Sequence, residues 1–151
     1  MKMMILAIGK AKGAETAFID EYKKRLGDAV SIQELVYSKN LPPEEQKKAE
    51  GALILNAIPK SGFVVLLDEH GKNMTSRDFA DSIQKWESLS VKNLVFIIGG
   101  AFGVSDEVKQ KADAAIAFGS WTWAHKLVRV MLMEQIYRAK QILQGHPYHK
   151  E

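Results

Sequence analysis

Two stretches of this chain, Phe63-Val64-Val65-Leu66-Leu67 and Leu94-Val95-Phe96-Ile97-Ile98, are apolar at every position rather than at alternate ones. A strand with one wet face alternates. A uniformly apolar strand needs cover on both faces, and a parallel sheet with helices packed on each side supplies it. Three more segments of strand length, Lys2 to Ile8, Ser31 to Val36 and Ala114 to Phe118, accompany Phe63 to Leu67 and Asn93 to Ile98. Between them lie stretches of helix length: Glu15 to Leu26, Pro43 to Ala57, Ser76 to Ser88, Asp106 to Ala112 and Ala124 to Gln144. This alternation predicts an α/β fold with a mainly parallel sheet and helices on both faces. With 151 residues, 46% of them hydrophobic, and no repeat or long linker, a single domain over residues 1–151 is expected.

Several helix starts carry residues suited to free backbone donors. Pro42 and Pro43 precede Glu44 and Glu45, Thr75 stands three positions before Asp78, and Ser105 precedes Asp106 and Glu107. The last helix differs from the rest. Leu127, Val128, Val130, Met131, Leu132, Met133, Ile136, Ala139, Ile142 and Leu143 place apolar side chains around most of its circumference, which calls for burial on two sides. The sheet provides one side; a second copy of the chain, or unusually close packing within one copy, provides the other.

Composition narrows the chemistry. There is no cysteine, so disulfides, thiolate zinc sites and a cysteine nucleophile are ruled out. The apolar run at the start stops at Gly9, far short of a membrane span, and points to a soluble cytoplasmic protein. The net charge of +3 is unevenly placed: residues 1–118 are neutral, whereas residues 119–151 hold Lys126, Arg129, Arg138, Lys140 and Lys150 against Glu134 and Glu151. Such a segment is either a solvated helix face or a nucleic-acid footprint.

Three connections are candidates for a ligand cleft, since ligands of open α/β sheets gather beyond the carboxyl ends of strands. Leu67-Asp68-Glu69-His70-Gly71-Lys72 follows one buried strand and Gly99-Gly100-Ala101-Phe102-Gly103 follows the other. The glycines allow close approach of backbone to a flat adenine or ribose, or simply punctuate a strand-to-helix turn. The third, Phe118-Gly119-Ser120-Trp121-Thr122-Trp123-Ala124-His125, combines apolar rings with free backbone groups, suiting a nucleoside or packing over the core edge. No dinucleotide fingerprint and no phosphate-binding lysine motif is present. His125 suits either a helix-start packing role or catalysis. His146 and His149 are separated by Pro147, and the nearby carboxylate is Glu151, so no regular three-ligand metal set exists. The closing Gly145-His146-Pro147-Tyr148-His149-Lys150-Glu151 is rich in rings for a terminus, as an ordered tail covering a cleft would be.

These residues closely resemble the RlmH family: Leu66 to Lys72, Phe96 to Gly103, and above all His125-Lys126-Leu127-Val128-Arg129-Val130 through Glu134-Gln135-Ile136-Tyr137-Arg138-Ala139 to the closing His146–Glu151. The likeness runs from Met4-Ile5-Leu6-Ala7-Ile8-Gly9-Lys10 onward over the whole chain. Members of that family methylate N3 of a pseudouridine in large-subunit ribosomal RNA. The resemblance therefore implies a SPOUT fold with a C-terminal trefoil knot, which periodicity alone does not suggest. It implies S-adenosylmethionine as the methyl donor, held by Leu67, Gly99, Phe118, Gly119, Ser120, Trp121, Thr122 and Trp123. It departs from the family pattern at Ala101 and Ala124, where many relatives carry proline, and there implies looser backbone with the reacting groups intact.

Methyl transfer to an imide nitrogen needs that nitrogen deprotonated, which directs attention to His125, Arg138, Tyr148 and His149 as catalytic candidates, with the identity of the base open. Lys126 and Arg129 are expected to position phosphates. No metal is required. So small a chain offers little surface for reading sequence, so a homodimer acting on assembled ribosomes or subunits is expected. Alternatives are another RNA such as transfer RNA, or a non-catalytic ribosome-binding module. A nucleotide-dependent oxidoreductase is disfavoured by the missing fingerprint.

Overall fold

A computed structural model describes residues 1–150; Glu151, weighed above with His146 and His149, lies outside the described residues. The elements alternate as β1 (Lys2–Ile8), α1 (Glu15–Leu26), β2 (Val30–Leu35), α2 (Pro43–Ala57), β3 (Gly62–Asn73), α3 (Ser76–Ser88), β4 (Asn93–Ile98), α4 (Asp106–Lys111), β5 (Ala114–Ala117) and α5 (His125–Leu143). The five strands form one sheet in the order β2-β1-β4-β3-β5, and every pairing is parallel. All strand-to-helix connections therefore leave from the same sheet edge.

The uniformly apolar strands do what their composition requires. Leu94, Phe96 and Ile98 of β4, with Met3, Ile5 and Ala7 of β1 and Val65 of β3, pack under α1, α3 and α5. Val95, Ile97, Leu6, Ile8, Val64 and Leu66 face the other way, toward Ile54 of α2 and Val108 of α4. Pleating thus divides each strand between two cores. The edge strand β2 leaves Ser31, Gln33 and Glu34 partly or fully outside. It begins at Val30, one residue before the expected start, because Val30 pairs with Met3, and Val36 is left exposed beyond its end.

The anticipated caps form. Thr75 Oγ1 accepts from Asp78 N at 3.1 Å while Asp78 Oδ2 accepts from Thr75 N at 3.2 Å, a reciprocal pair closing the first turn of α3. Ser105 caps α4 and Pro43 occupies the first turn of α2.

β3 departs most from expectation. It does not end at Leu67: Leu67 and Lys72 both pair with Ile116, so Asp68 to Gly71 swing out of the ladder before Asn73 pairs with Ala117. At the base of this excursion, a β-carbon on Gly71 would come within 2.7 Å of the backbone of Ala115 and Ile116. Only glycine lets the two strands close there.

α5 lies on the sheet between α1 and α3, with Leu132, Met133, Ile136 and Ala139 almost wholly buried. Those neighbours cover more of its circumference than the sheet alone would. Apolar surface nevertheless remains: Leu127 is 52% exposed and Phe18 of α1 is 56% exposed, and Phe18 lines a shallow apolar groove with Val130 and Met131. No helix of the described residues is long and apolar enough to cross a membrane.

Candidate functional site

The excursion within β3 and the connections that follow β4 and β5 meet in one cleft of about 640 Å³, within the range of small-molecule sites. Leu67, Asp68, Glu69 and His70 form one wall and Gly99 to Val104 another. Phe118, Gly119, Trp121, Thr122, Trp123 and His125 complete it. Of the expected cofactor residues, Leu67, Gly99, Phe118, Gly119, Trp121, Thr122 and Trp123 line this cleft; Ser120 lies within the same connection.

Local chemistry shapes each wall. Gly99 packs so closely on Val104 that a β-carbon would stand 2.6 Å from its Cγ1, which keeps the backbone rim open to a ligand. The 118–124 connection turns at Gly119, whose φ of +90° favours glycine. It is pinned by Gly119 N donating to Asn73 Oδ1 at 3.0 Å and by Trp123 Nε1 donating to the Phe118 carbonyl at 2.8 Å. Across the cleft, Thr122 Oγ1 donates to Glu69. Trp121 and Trp123 stand 6.0 Å apart between ring centroids, and Trp121 is 73% exposed. Rings of this size so open to water, beside free backbone groups, suit stacking against a flat ligand.

His125 begins α5 at the mouth of the cleft, close to Gly9 at the end of β1. Burial, then the charges of Arg129 and Lys126, hold its imidazole below the ordinary value of 6.5. At neutral pH it carries a lone pair.

One turn further along the helix, Arg129, expected to position phosphates, is buried within the chain. It is 1% exposed and its guanidinium donates to Glu34 Oε2 at 2.7 Å and to the carbonyls of Ile8 and Gly9 at 3.3 and 3.1 Å. Its Nε has no partner among the described residues, and the guanidinium ties α5 to the ends of β1 and β2. Lys126 is exposed, as a phosphate contact requires. Glu34 was missed in the sequence because a carboxylate on an edge strand reads as solvent-facing, and nothing in its spacing announces a partner 95 positions away.

The other three catalytic candidates gather elsewhere. Arg138 binds Glu134 through Nη2 at 2.6 Å and Nε at 2.9 Å, and its Nη1 lies 3.1 Å from His149 Nδ1. Tyr148 donates to the same Glu134 oxygen at 3.2 Å, and its ring meets Tyr137 edge-on at 4.8 Å. Burial, reinforced by a bond with Tyr22 and the Glu134 charge, pushes the Tyr148 phenol up to about 12. The tail is thus folded back on α5. Arg138 is thirteen positions from His125, about 20 Å along a helix axis, so one chain does not bring all four groups to one reacting atom. Among the described residues no group of three His, Asp or Glu side chains is placed to hold a metal ion.

Residues 1–149 match a family model described as "Predicted SPOUT methyltransferase". Proteins named ribosomal RNA large subunit methyltransferase H are 42% identical in both Rhodospirillum centenum and Nitrobacter hamburgensis, with 99% of this chain and 99% of each relative covered. The chain belongs to this SPOUT methyltransferase family. Its fold also recurs in distant solved structures. A structure described as that of "a probable methylase family protein" from Haemophilus influenzae has a TM-score of 0.58 at 13% identity, covering 99% of this chain and 70% of that one. The SpoU methyltransferase AviRb from Streptomyces viridochromogenes, solved in complex with AdoMet, has a TM-score of 0.51 at 13% identity. This chain spans 58% of AviRb's length, and 92% of it is covered.

Proposed function

We propose that this family member transfers a methyl group from S-adenosylmethionine to N3 of a pseudouridine in large-subunit ribosomal RNA, in the cytoplasm and as a homodimer, on assembled ribosomes or subunits. The convergence of the β3 excursion and the connections after β4 and β5 on one cleft beside a neutral His125 carries this reading. The residues present fit the donor. Leu67, Ile98, Ile116 and Trp123 offer apolar walls, the Gly99 rim and the 118–123 backbone offer amide and carbonyl groups, and Asp68 and Glu69 favour a cation. When bound, S-adenosylmethionine supplies an electrophilic methyl group on a sulfonium.

The chain's own groups then have to hold the acceptor in line and remove one proton. A neutral imidazole at His125 can receive the N3 proton, and His149 is the second candidate for that task. Arg138 and a Tyr148 hydroxyl that stays protonated at neutral pH are suited to donate hydrogen bonds to the negative charge spread over the imidate oxygens. Their separation from His125 within one chain is the reason for the dimer: a second copy can set its tail over the first copy's cleft, and the Phe18, Val130 and Met131 groove offers apolar surface for that contact. The trefoil threading belongs to the same reading.

Mass spectrometry of ribosomal RNA from a deletion strain is expected to show one pseudouridine lacking its methyl group; a fully methylated site would refute the assignment. For the shared site, His125→Ala and Arg138→Ala chains are each expected to be inactive, and mixing them to recover about a quarter of wild-type turnover, since only mixed dimers hold one intact site. No recovery in a mixture shown to exchange subunits would overturn it.

A further inference from the structure

We propose that Lys10 and Lys12, in the connection between β1 and α1, form with Lys126 a basic lip on the β1 side of the cleft that grips the RNA phosphate backbone, and that buried Arg129 positions this lip. The inference rests on the RNA reading above and extends it to residues outside the reacting groups.

Arg129 provides the geometry. A guanidinium 1% exposed is costly to bury without acceptors; its Nε has none among the described residues, but its two terminal nitrogens are bonded, and two of their acceptors are the carbonyls of Ile8 and Gly9, immediately before Lys10. Its third, Glu34, also accepts from Ala11 N, between the two lysines. The turn is closed from the far side by Lys12 N donating to Glu15 Oε1 at 3.2 Å. A connection that would otherwise fray is thereby fixed at both lysines. It is fixed beside the cleft as well: a β-carbon on Gly9 would stand 3.9 Å from His125 Nε2, and Lys126 follows His125.

Charge decides the ligand. Lys10, Lys12 and Lys126 are exposed, and no ion pair among the described residues involves them. Of the carboxylates beside them, Glu34 is paired with Arg129 and bonded by Ala11 N, whereas Glu15 accepts from Lys12 N and keeps a charge that acts on Lys126. Lys47, paired with Glu44, and Lys109 line the cleft from α2 and α4, while the β3 rim of the cleft carries Asp68 and Glu69. Phosphate is repelled there and attracted on the β1 side, so the backbone crosses Lys10, Lys12 and Lys126 while the donor occupies the acidic half. A merely solvated set of lysines needs neither the buried anchor nor this polarity across the cleft.

The test is binding of the full chain to purified large ribosomal subunits between 50 and 200 mM salt, comparing wild type, K10Q/K12Q and K60Q/K92Q. Lys60 and Lys92 are exposed at the opposite sheet edge. Each phosphate contact contributes about 0.7–0.9 to the slope of log affinity against log salt. K10Q/K12Q is therefore expected to bind at least about fivefold more weakly at low salt, with a slope shallower by about 1.5. Its melting temperature and its calorimetric binding of S-adenosylmethionine should match wild type, and K60Q/K92Q should behave as wild type throughout. An unchanged slope in K10Q/K12Q, or an equal loss in K60Q/K92Q, overturns the proposal. Methyl transfer by wild type on the same subunits separates the two readings: its absence refutes the enzymatic reading, while the salt slopes still decide the lip.

Discussion

Replacing Arg129 by methionine removes the guanidinium while keeping an unbranched side chain of similar reach. The carbonyls of Ile8 and Gly9 then lose a donor, and Glu34 keeps only Ala11 N. Breaking a buried ion pair by deleting one partner costs about 3–5 kcal/mol. The Glu34 side chain is 32% exposed and can recover some hydration, which places the cost near the lower end, at about 3 kcal/mol. For a domain of this size each kcal/mol moves the midpoint by about 2–4 °C, so a calorimetric melt should fall by roughly 6–12 °C. A cycle with Glu34→Gln isolates the pair: the double variant should be more stable than the sum of the single losses implies, by at least about 1 kcal/mol. A melting change below about 2 °C, or additive losses, would refute the view that this guanidinium fastens α5 to the strand ends.

Three further outcomes follow from the geometry. Gly71→Ala should abolish calorimetric binding of S-adenosylmethionine and lower the melt, because its β-carbon would meet unyielding backbone of Ala115 and Ile116 at 2.7 Å; retained binding would show that the excursion of β3 is not constrained there. His125, held down first by burial and then by Arg129 and Lys126, should titrate below 6.5 by NMR and move upward in Lys126→Gln; its contribution to stability is complete above the unfolded value of about 6.5 and is lost as pH falls through the folded one, and a midpoint at or above 6.5 would contradict this. Thr75→Ala removes the α3 capping box and should cost about 1 kcal/mol without altering donor affinity, so an unchanged melt would argue against the cap.

Strand and helix content was legible because each cue is local. Uniform apolarity in 63–67 and 94–98 demands two covered faces, and Thr75, Ser105 and Pro43 mark helix starts within three or four positions. The cleft was legible too, since parallel strands deliver their following loops to one edge. What escaped was non-local. The return of β3 to pair beyond Leu67 depends on how closely β5 approaches Gly71, a distance no spacing encodes. Arg129 looked like a phosphate ligand because an arginine near a helix start in a basic segment commonly is one. Its burial is decided by Glu34 and two carbonyls 95 to 121 positions away.

α5 links these observations. Its first turn carries His125 at the cleft, its second buries Arg129 against the ends of β1 and β2, and its last turns hold Arg138 beneath the folded-back Tyr148 and His149. A rigid helix fixes the distance between its two polar ends, so no motion of side chains alone can bring them to one atom. A long apolar helix with polar groups at both ends fits the paired assembly proposed above, in which each copy's first turn would face the other's tail. α1, α3 and the sheet leave apolar surface on α5, Leu127 being 52% exposed, between the two polar ends, and the second copy proposed above would sit there.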